Sequence, residues 1–180
     1  MKRLEVGCGR KVTPGFVRAD ANPNVGALDW CGDVSTRMPW DDGTFDEIRA
    51  VDILEHIPYR RTAAALTEWA RLLRPGGVLY VQVPDCGRIM AEWAQDPTRW
   101  RERLPADLAH LPPFLGVAWR ILGGQDDGVI THDGDDPALN LHLSMFDEPT
   151  LRWYLTGAGF EVERLESNPH PNLLAWARRA

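Results

Sequence analysis

The sequence predicts an α/β fold: a doubly wound, mainly parallel sheet with helices on both faces and a C-terminal antiparallel hairpin. Short apolar runs end in Gly or Asp turns, as buried parallel strands do. A helical segment then leads into VLYVQV at residues 78–83, the strongest strand signal in the chain. The link 168–171 is too short for a crossover, so the strands on either side of it are predicted to pair as a hairpin.

Five strands are expected before the hairpin, and each ends close to a Gly, Pro or Asp that can begin a turn. The first, LEV, breaks directly into Gly7-Cys8-Gly9. Glycine there allows a tight turn and the close approach of a ligand to the backbone. The expected strands are 4–6, 16–20, 27–31, 45–53 and 78–83, with hairpin strands 160–166 and 172–178.

Helices are expected at residues 61–74 and 147–158. The first carries an apolar stripe near the 3.6-residue period, and Arg71 and Arg74 in its last turn favour the helix dipole. The Pro-Gly-Gly sequence at 75–77 is predicted to stop it.

Residues 86–146 break this rhythm and are predicted to form a cap within the single domain. Two helices, 89–103 and 107–122, are expected there, followed by a loop at 123–137 that is dense in Gly, Asp and Pro. Long loops of this kind inside a compact domain are usually either functional lids or mobile. Three tryptophans of the cap either line an acceptor pocket or, as the default interpretation, pack in the core: Trp93, Trp100 and Trp119.

Composition excludes several classes of function. The 180 residues are 44% hydrophobic and 26% charged, which suits one globular domain over residues 1–180. The net charge of −6 disfavours nucleic acid as a partner. No apolar run approaches the ~18 residues of a membrane span, and the N-terminus shows no secretory region. Three cysteines without a CxxC pair indicate reduced thiols in the cytoplasm, and neither a disulfide frame nor a zinc site.

Residues able to bind a ligand follow each of the first five strands. Because the carboxyl ends of parallel strands meet at one edge of a sheet, we expect these residues to face a common crevice. They are, strand by strand, Gly7-Cys8-Gly9, Asp20, Asp33, residues 51–56 and Pro84-Asp85.

These groups suit a ligand that has an adenosine end and an amino-acid end. Asp20 is placed to accept hydrogen bonds from both ribose hydroxyls, Asp33 from a purine amine, and Glu5 to meet an ammonium group. The dinucleotide fingerprint needs a third glycine where the chain has Val12, and no GxxxxGK[ST] pattern occurs. The site therefore does not suit a pyrophosphate.

Six segments carry a resemblance to a known family. They are LEVGCG (4–9), RAD (18–20), GDVSTRMPWDDGTFDEI (32–48), DILEHIP (52–58), LLRPGGVLYVQVPD (72–85) and LTGAGFEVE (155–163). On these segments the chain resembles the class I S-adenosylmethionine-dependent methyltransferases, especially small type 11 members, which include a subgroup associated with polysaccharide-building enzymes. The resemblance implies a seven-stranded sheet in the order 3-2-1-4-5-7-6, S-adenosylmethionine as cofactor, and methyl transfer to O, N or C.

The resemblance also implies roles for residues at the sheet edge. Gly7 to Gly9 would line the methionine part of the cofactor, Asp20 would hold the ribose, and Asp33 would flank the adenine. The implied cofactor-binding residues are Glu5, Gly7, Cys8, Gly9, Asp20, Ala21, Asp33, Val34, Val51, Asp52 and Ile53.

Methyl transfer needs an oriented acceptor, a dry site and, for some acceptors, a base. The candidates are His56, Asp85 and His142, each of which also has a structural interpretation. His56 would be a loop histidine that holds backbone, Asp85 a helix cap and His142 part of a packed face. The acidic loop around His132 lacks a defined ligand spacing, so we interpret it as a solvated loop and expect no metal.

The chain departs from the family pattern in two places. Only about nine residues separate the first two strands, so a turn replaces the usual crossover helix. The chain starts at the first strand, without the helix that usually precedes it, so we expect either that the site is more open or that residues 86–146 or a partner chain cover it. A homodimer is a separate hypothesis.

The leading hypothesis is therefore methyl transfer to a small-molecule or glycan acceptor. The second is a cofactor-holding subunit that is inactive without a partner. A nicotinamide oxidoreductase is disfavoured by Val12 and by the absence of a hydride-transfer pair such as Tyr-x-x-x-Lys.

Overall fold

A computed structural model describes residues 1–103, 110, 112–123 and 137–180. The strands in these residues are β1 (Arg3–Val6), β2 (Phe16–Asp20), β3 (Trp30–Cys31), β4 (Phe45–Val51), β5 (Leu73–Pro84), β6 (Phe160–Ser167) and β7 (Asn172–Arg179). They form a seven-stranded sheet in the order β3-β2-β1-β4-β5-β7-β6. The predicted fold class and strand order are therefore confirmed.

Strand directions also match the prediction. The five strands from β1 to β5 are parallel to their neighbours, whereas β7 runs antiparallel to both β5 and β6. The parallel strands bring their carboxyl ends to a common edge, which is where the candidate ligand-binding residues follow.

The third strand is shorter than predicted, because only the last two residues of the segment 27–31 pair with β2. Arg18 explains the difference. Its guanidinium donates hydrogen bonds to the carbonyls of Val25 and Ala27, and its backbone amide donates to the Asp29 carboxylate. These contacts hold the backbone before Trp30 in an irregular path.

The helices are α1 (Tyr59–Leu72), α2 (Cys86–Gln95), α3 (Pro113–Leu122) and α4 (Glu148–Gly157), with 3₁₀ turns at Leu54–His56, Pro97–Arg103 and Pro137–Asn140. None of these described helices is long and apolar enough to cross a membrane. The prediction that helix 61–74 includes Arg74 is wrong, because β5 begins at Leu73, which is fully buried and pairs with Phe45. Arg74 instead forms an ion pair of 2.7 Å with Asp46.

The core contains side chains of the sheet, α1 and α4, among them Leu4, Ile48 and Leu79. Trp69 of α1 is fully buried, and its indole N–H donates a hydrogen bond of 2.9 Å to the carbonyl of Val34. This bond fixes the segment that follows β3 against α1, and so positions one wall of the crevice.

The cap has a small core of its own, built from Ile89, Trp100 and Val117. The predicted helix 89–103 is wrong as one element, because α2 ends at Gln95 and Pro97 lacks the N–H that would continue it. The second predicted helix is helical from Pro113 onwards, and its residues 107–109 and 111 lie outside the described residues. The loop residues 124–136, including His132 and the acidic cluster around it, lie outside them as well.

Candidate functional site

A cavity of about 570 Å³ opens at the carboxyl edge of the parallel strands. Its wall is formed by residues that follow β1, β2, β3 and β4, together with α1 and the segment 139–143. The sequence-predicted cofactor residues that line it are Gly7, Gly9, Asp20, Ala21, Asp33, Val34, Asp52 and Ile53. Three other predicted residues are not part of the wall: Glu5, Cys8 and Val51.

The turn after β1 depends on two glycines in the left-handed region, Gly7 at φ +62° and Gly9 at φ +54°. A Cβ on Gly7 would lie 2.5 Å from Cβ and 2.6 Å from Cδ1 of Ile53, so the turns after β1 and β4 touch there. A Cβ on Gly9 would meet no atom within 4 Å, because Gly9 faces the open cavity. Gly7 therefore closes the turn, and Gly9 leaves space for a ligand.

No helix braces this turn, since residues 7–15 contain none, as predicted. Asp20 and Arg18 of β2 hold it instead. The Asp20 carboxylate accepts hydrogen bonds of 2.8 Å from the backbone amides of Gly9 and Asn22, one on each oxygen. The Arg18 guanidinium donates a 2.7 Å hydrogen bond to the carbonyl of Gly9. Charged side chains thus replace the missing crossover helix as the support of the turn.

Asp33 lies opposite, on the β3 side of the cavity. One of its oxygens accepts hydrogen bonds from the amide (2.9 Å) and hydroxyl (2.6 Å) of Ser35, and the other pairs with Arg61 at 2.7 Å. Partial burial raises the pKa of Asp33, but the Ser35 and Arg61 contacts outweigh it, so the net pKa is lowered and the carboxylate stays ionised. Sequence reasoning missed Arg61, which reaches the cavity from α1.

Glu5 and Cys8 are buried behind the turn. Glu5 accepts a 3.0 Å hydrogen bond from the Thr13 hydroxyl and lies 3.5 Å from Arg49, so it supports the strand behind the cavity. Burial raises the pKa of the Cys8 thiol to about 11, so Cys8 is a neutral, packed residue.

The rate of alkylation should distinguish the exposed cysteine from the two buried ones. We expect iodoacetamide at pH 8 to modify exposed Cys31 more than about 100-fold faster than Cys8, because the thiolate is the nucleophile and burial suppresses it at Cys8. Cys86 is also buried with a raised pKa and should be protected. Peptide mass spectrometry against time measures the rates, and urea-unfolded protein, in which all three sites should react alike, is the control. Equal rates at Cys8 and Cys31 in folded protein would contradict the burial of Cys8.

The turn after β4 contains Asp52, which is the non-glycine residue with positive φ, +52°, among those described. Aspartate is among the residues that tolerate this conformation. Its carboxylate accepts hydrogen bonds of 3.1 and 3.2 Å from the Gln82 side chain. This turn leads directly into the 3₁₀ turn Leu54–His56.

His56 is the catalytic candidate that lines the cavity. Its Nδ1 lies 3.1 Å from the carbonyl of Leu141, which is satisfied when Nδ1 carries the proton. Nε2 then keeps its lone pair. Burial lowers the pKa of His56, although the Leu141 carbonyl, Asp52 and the Leu139 carbonyl partly oppose the shift. His56 is therefore a neutral imidazole in the cavity wall, held through Nδ1 by the Leu141 carbonyl.

His142 and Glu55 lie beside His56. The two imidazoles meet edge to face, with ring centroids 4.8 Å apart. Burial and the neighbouring His56 lower the pKa of His142 to about 4. Glu55 is 2% exposed, its Oε2 has no hydrogen-bond partner, and burial raises its pKa to about 8. Sequence reasoning missed Glu55, although it is adjacent to His56, because a buried carboxylate has no local signature.

Asp85 has a different place. It is the N-cap of α2, where its carboxylate accepts a 3.0 Å hydrogen bond from the Arg88 amide, and it is not part of the cavity wall. This is the capping geometry that the sequence left open as the structural interpretation.

The cavity wall also contains residues that no motif indicated: Leu139, Asn140 and Leu143. Gly123, at φ +79°, packs against this segment: a Cβ on it would clash with the Asn140 carbonyl oxygen and would lie 2.9 Å from both N and Cδ2 of His142. Gly123 stands at the predicted start of the loop 123–137, but the sequence does not reveal its long-range contact with Asn140 and His142. The three cap tryptophans are not among the described residues that line the cavity.

Comparison with known proteins assigns the family. The sequence matches the methyltransferase domain family over residues 1–165. The chain belongs to this family. Membership confirms the predicted class, the S-adenosylmethionine-dependent methyltransferases, and S-adenosylmethionine as its cofactor. No protein of curated function matches the sequence of this methyltransferase.

Solved structures share the fold of the methyltransferase at low sequence identity. A protein from Pyrococcus horikoshii has TM-score 0.65 at 13% identity, covering 99% of this chain and 82% of that one. A methyltransferase from Methanosarcina mazei described as S-adenosylmethionine-dependent has TM-score 0.61 at 14% identity, covering 99% and 92%. The 1,6-didemethyltoxoflavin-N1-methyltransferase of Burkholderia thailandensis, solved with 1,6-didemethyltoxoflavin and S-adenosylhomocysteine, has TM-score 0.56 at 17% identity, covering 99% and 70%.

Proposed function

We propose that this methyltransferase uses the cavity to transfer a methyl group from S-adenosylmethionine to a small-molecule or glycan acceptor. The observation that carries the proposal is the pair formed by Asp20 and Gly9: a carboxylate and an open glycine, fixed to each other at 2.8 Å in the cavity wall. Each carboxylate oxygen of Asp20 accepts one hydrogen bond from a backbone amide and can accept another. Both oxygens would therefore be available to the hydroxyls of a ribose next to Asp20.

The residues present fit the cofactor. The cavity volume of about 570 Å³ falls within the ~300–1,000 Å³ of small-molecule sites. We assign the ribose to Asp20, the adenine to the wall made by Asp33 and Val34, and the methionine end to the Gly7–Gly9 turn. Glu5, Cys8 and Val51 would support that turn from behind without contacting the cofactor.

The acceptor would bind on the side of His56. Leucines 139 and 143 give that side apolar surface, and Asn140 adds one amide. Such a narrow, mixed surface suits a small ring or sugar better than a macromolecule. One protein of the same fold is described with bound 1,6-didemethyltoxoflavin, a small molecule, which supports this class of acceptor.

Bound S-adenosylmethionine supplies an electrophilic methyl group that a nucleophilic atom can attack in line. The work of the protein is to hold the acceptor in place and keep water out. His56, through the lone pair on Nε2, would accept the hydrogen bond of the acceptor's O–H or N–H and so direct that atom. The Leu141 carbonyl holds the imidazole in the tautomer that this role needs.

Two measurements on the isolated chain test the proposal. Isothermal titration should detect S-adenosylhomocysteine binding, and incubation of S-adenosylmethionine with a panel of phenols, amines and mono- and oligosaccharides should release S-adenosylhomocysteine with at least one acceptor. His56→Asn keeps a donor for the Leu141 carbonyl and removes Nε2, so we expect kcat to fall about 100-fold with S-adenosylhomocysteine affinity unchanged.

His170→Asn, at an exposed histidine distant in sequence from the cavity segments, is the matched control and should retain wild-type turnover. Turnover on protein or nucleic acid acceptors alone would contradict the acceptor class. Activity of the isolated chain would also exclude the hypothesis of a subunit that is inactive without a partner. A cytoplasmic location and a homodimer stay predictions, and sedimentation of the pure chain tests the second.

A further inference from the structure

We propose that Glu55, His56 and His142 bind a divalent transition-metal ion of the Zn²⁺ type, placed to bind an oxygen of the methyl acceptor. This inference rests on the proposed function for its catalytic meaning, although ion binding can be measured without it. The sequence analysis expected no metal, since it considered only the acidic loop around His132.

The donor set is the first argument. Two imidazoles and one carboxylate form a known ligand set of catalytic zinc, and of other first-row ions, which keep further positions open for water or substrate. Mg²⁺ and Ca²⁺ prefer sets made of oxygen, so they fit this site less well.

Distance is the second argument. One ligand atom from each of the three residues can be chosen so that all lie within 4.8 Å of one another. Ligand atoms around a tetrahedral ion with bonds of 2.0–2.1 Å are separated by about 3.4 Å. The side chains therefore need to approach by about 1.5 Å at most, which rotation about their side-chain bonds can supply.

The support around the ligands is the third argument. A histidine that binds a metal usually donates its other N–H to a carbonyl or carboxylate, and His56 has the Leu141 carbonyl 3.1 Å from Nδ1. The Glu55 carbonyl accepts hydrogen bonds from the amides of Leu143 (2.7 Å) and Ser144 (3.0 Å). The two segments that carry the ligands are thus fastened together by the backbone.

The unpaired oxygen of Glu55 is the fourth and independent argument. Glu55 is 2% exposed, and its Oε2 has no hydrogen-bond partner. A buried polar atom of this kind costs free energy unless something binds it. An ion held between Glu55 and the two histidines would bind it.

The place of the cluster gives the ion a function. His56 belongs both to the cluster and to the cavity wall, so an ion on its Nε2 would lie next to the acceptor. The ion would then take the place of the direct hydrogen bond from the acceptor to His56. An acceptor hydroxyl bound to the ion would lose its proton to water more readily, and its oxygen would form the new bond as the carbon–sulfur bond breaks.

Titration with Co²⁺ and Zn²⁺ tests the inference. The full chain is freed of metal with EDTA, dialysed, and titrated with Co²⁺, whose visible absorption reports a site of low coordination number. Zn²⁺ is then titrated by calorimetry. We expect a Co²⁺ band that Zn²⁺ abolishes and one Zn²⁺ per chain. Glu55→Gln and His142→Asn should each weaken Zn²⁺ binding at least about 100-fold, whereas His170→Asn should not change it.

Several outcomes would overturn the inference: no Co²⁺ band in the wild-type chain, no stoichiometric Zn²⁺ binding, or equal losses in the cluster variants and the His170 control. If a variant unfolds, the Co²⁺ and Zn²⁺ titrations of the wild-type chain still show whether the ion binds. S-adenosylhomocysteine binding by the metal-free chain separates the two proposals. A chain that binds S-adenosylhomocysteine but fails to bind Zn²⁺ contradicts only the ion site. A chain that binds Zn²⁺ but fails to bind S-adenosylhomocysteine contradicts only the cofactor-site assignment.

A second variant keeps all three ligand residues. Gly123→Ala would place a methyl group against the Asn140 carbonyl oxygen and 2.9 Å from the backbone nitrogen and Cδ2 of His142. Relief of these contacts must move the segment that carries His142, so Zn²⁺ binding should weaken about tenfold or more. Gly159→Ala is the control, because Gly159 also has positive φ (+87°) but open space at its Cβ. Equal Zn²⁺ affinity in both variants would contradict a ligand role for His142.

Discussion

Gly7→Ala is expected to abolish measurable S-adenosylhomocysteine binding and to lower the free energy of unfolding by about 2–5 kcal/mol. Two costs add at this position. Alanine is strained at φ +62°, and its methyl group would lie within 2.6 Å of the Ile53 side chain. Because the turns after β1 and β4 touch at this point, relief of the clash must move a wall of the cavity. Calorimetric titration and urea unfolding measure the two effects.

The control for Gly7→Ala is Gly159→Ala, in which φ is +87° and the added methyl group meets nothing within 4 Å. It isolates the cost of positive φ, which we expect to be about 1–2 kcal/mol, with unchanged S-adenosylhomocysteine affinity. If both variants lost the same stability and kept the same affinity, the contact between Gly7 and Ile53 would have no part in the site.

Asp20→Asn is the second large effect, with S-adenosylhomocysteine affinity expected to fall about 100-fold, or about 2.7 kcal/mol. Both carboxylate oxygens of Asp20 already accept a backbone amide at 2.8 Å. An asparagine must turn its NH₂ towards one of those donors, so the Gly9 turn loosens as the ribose loses a charged acceptor. Titration calorimetry measures the affinity, and thermal unfolding reports whether the fold remains.

Glu161→Gln is the matched control for Asp20→Asn, because it removes an exposed carboxylate of β6 at the far edge of the sheet. The S-adenosylhomocysteine affinity of Glu161→Gln should equal that of the wild type. An Asp20→Asn protein that is folded and binds S-adenosylhomocysteine with wild-type affinity would overturn the assignment of the ribose to Asp20.

The predictable parts of the fold are those whose signal lies in residues that are consecutive in the sequence. VLYVQV, the Gly7-Cys8-Gly9 turn and the helical stripe before Pro75 each depend on local spacing, and the strand order followed from family motifs. Errors occurred where tertiary contacts override local pattern. Arg18 holds residues 25–29 out of the sheet, and the pairing of Leu73 with Phe45 ends α1 early.

The candidate site also contains residues that the sequence predicts and residues that only tertiary contacts bring together. Asp20, Asp33 and Gly7 follow strands, so their position at the sheet edge was readable from the sequence. Glu55 and His142 are 87 positions apart in the chain, and no periodicity links them. Their meeting depends on the backbone hydrogen bonds that Leu143 and Ser144 donate to the Glu55 carbonyl, which only the folded structure shows.

The support of the β1–β2 turn by Arg18 and Asp20 has a consequence for folding. All the hydrogen bonds that fix Gly9 come from residues 9 to 11 positions away in sequence. Those joining the His56 segment to Leu141 and Ile57 to Ser144 span 85 and 87 positions. Closing a short loop costs less entropy than closing a long one. The side of the cavity next to the β1–β2 turn is therefore expected to assemble first and open last, and the side that carries His56 is expected to exchange its amides with solvent sooner.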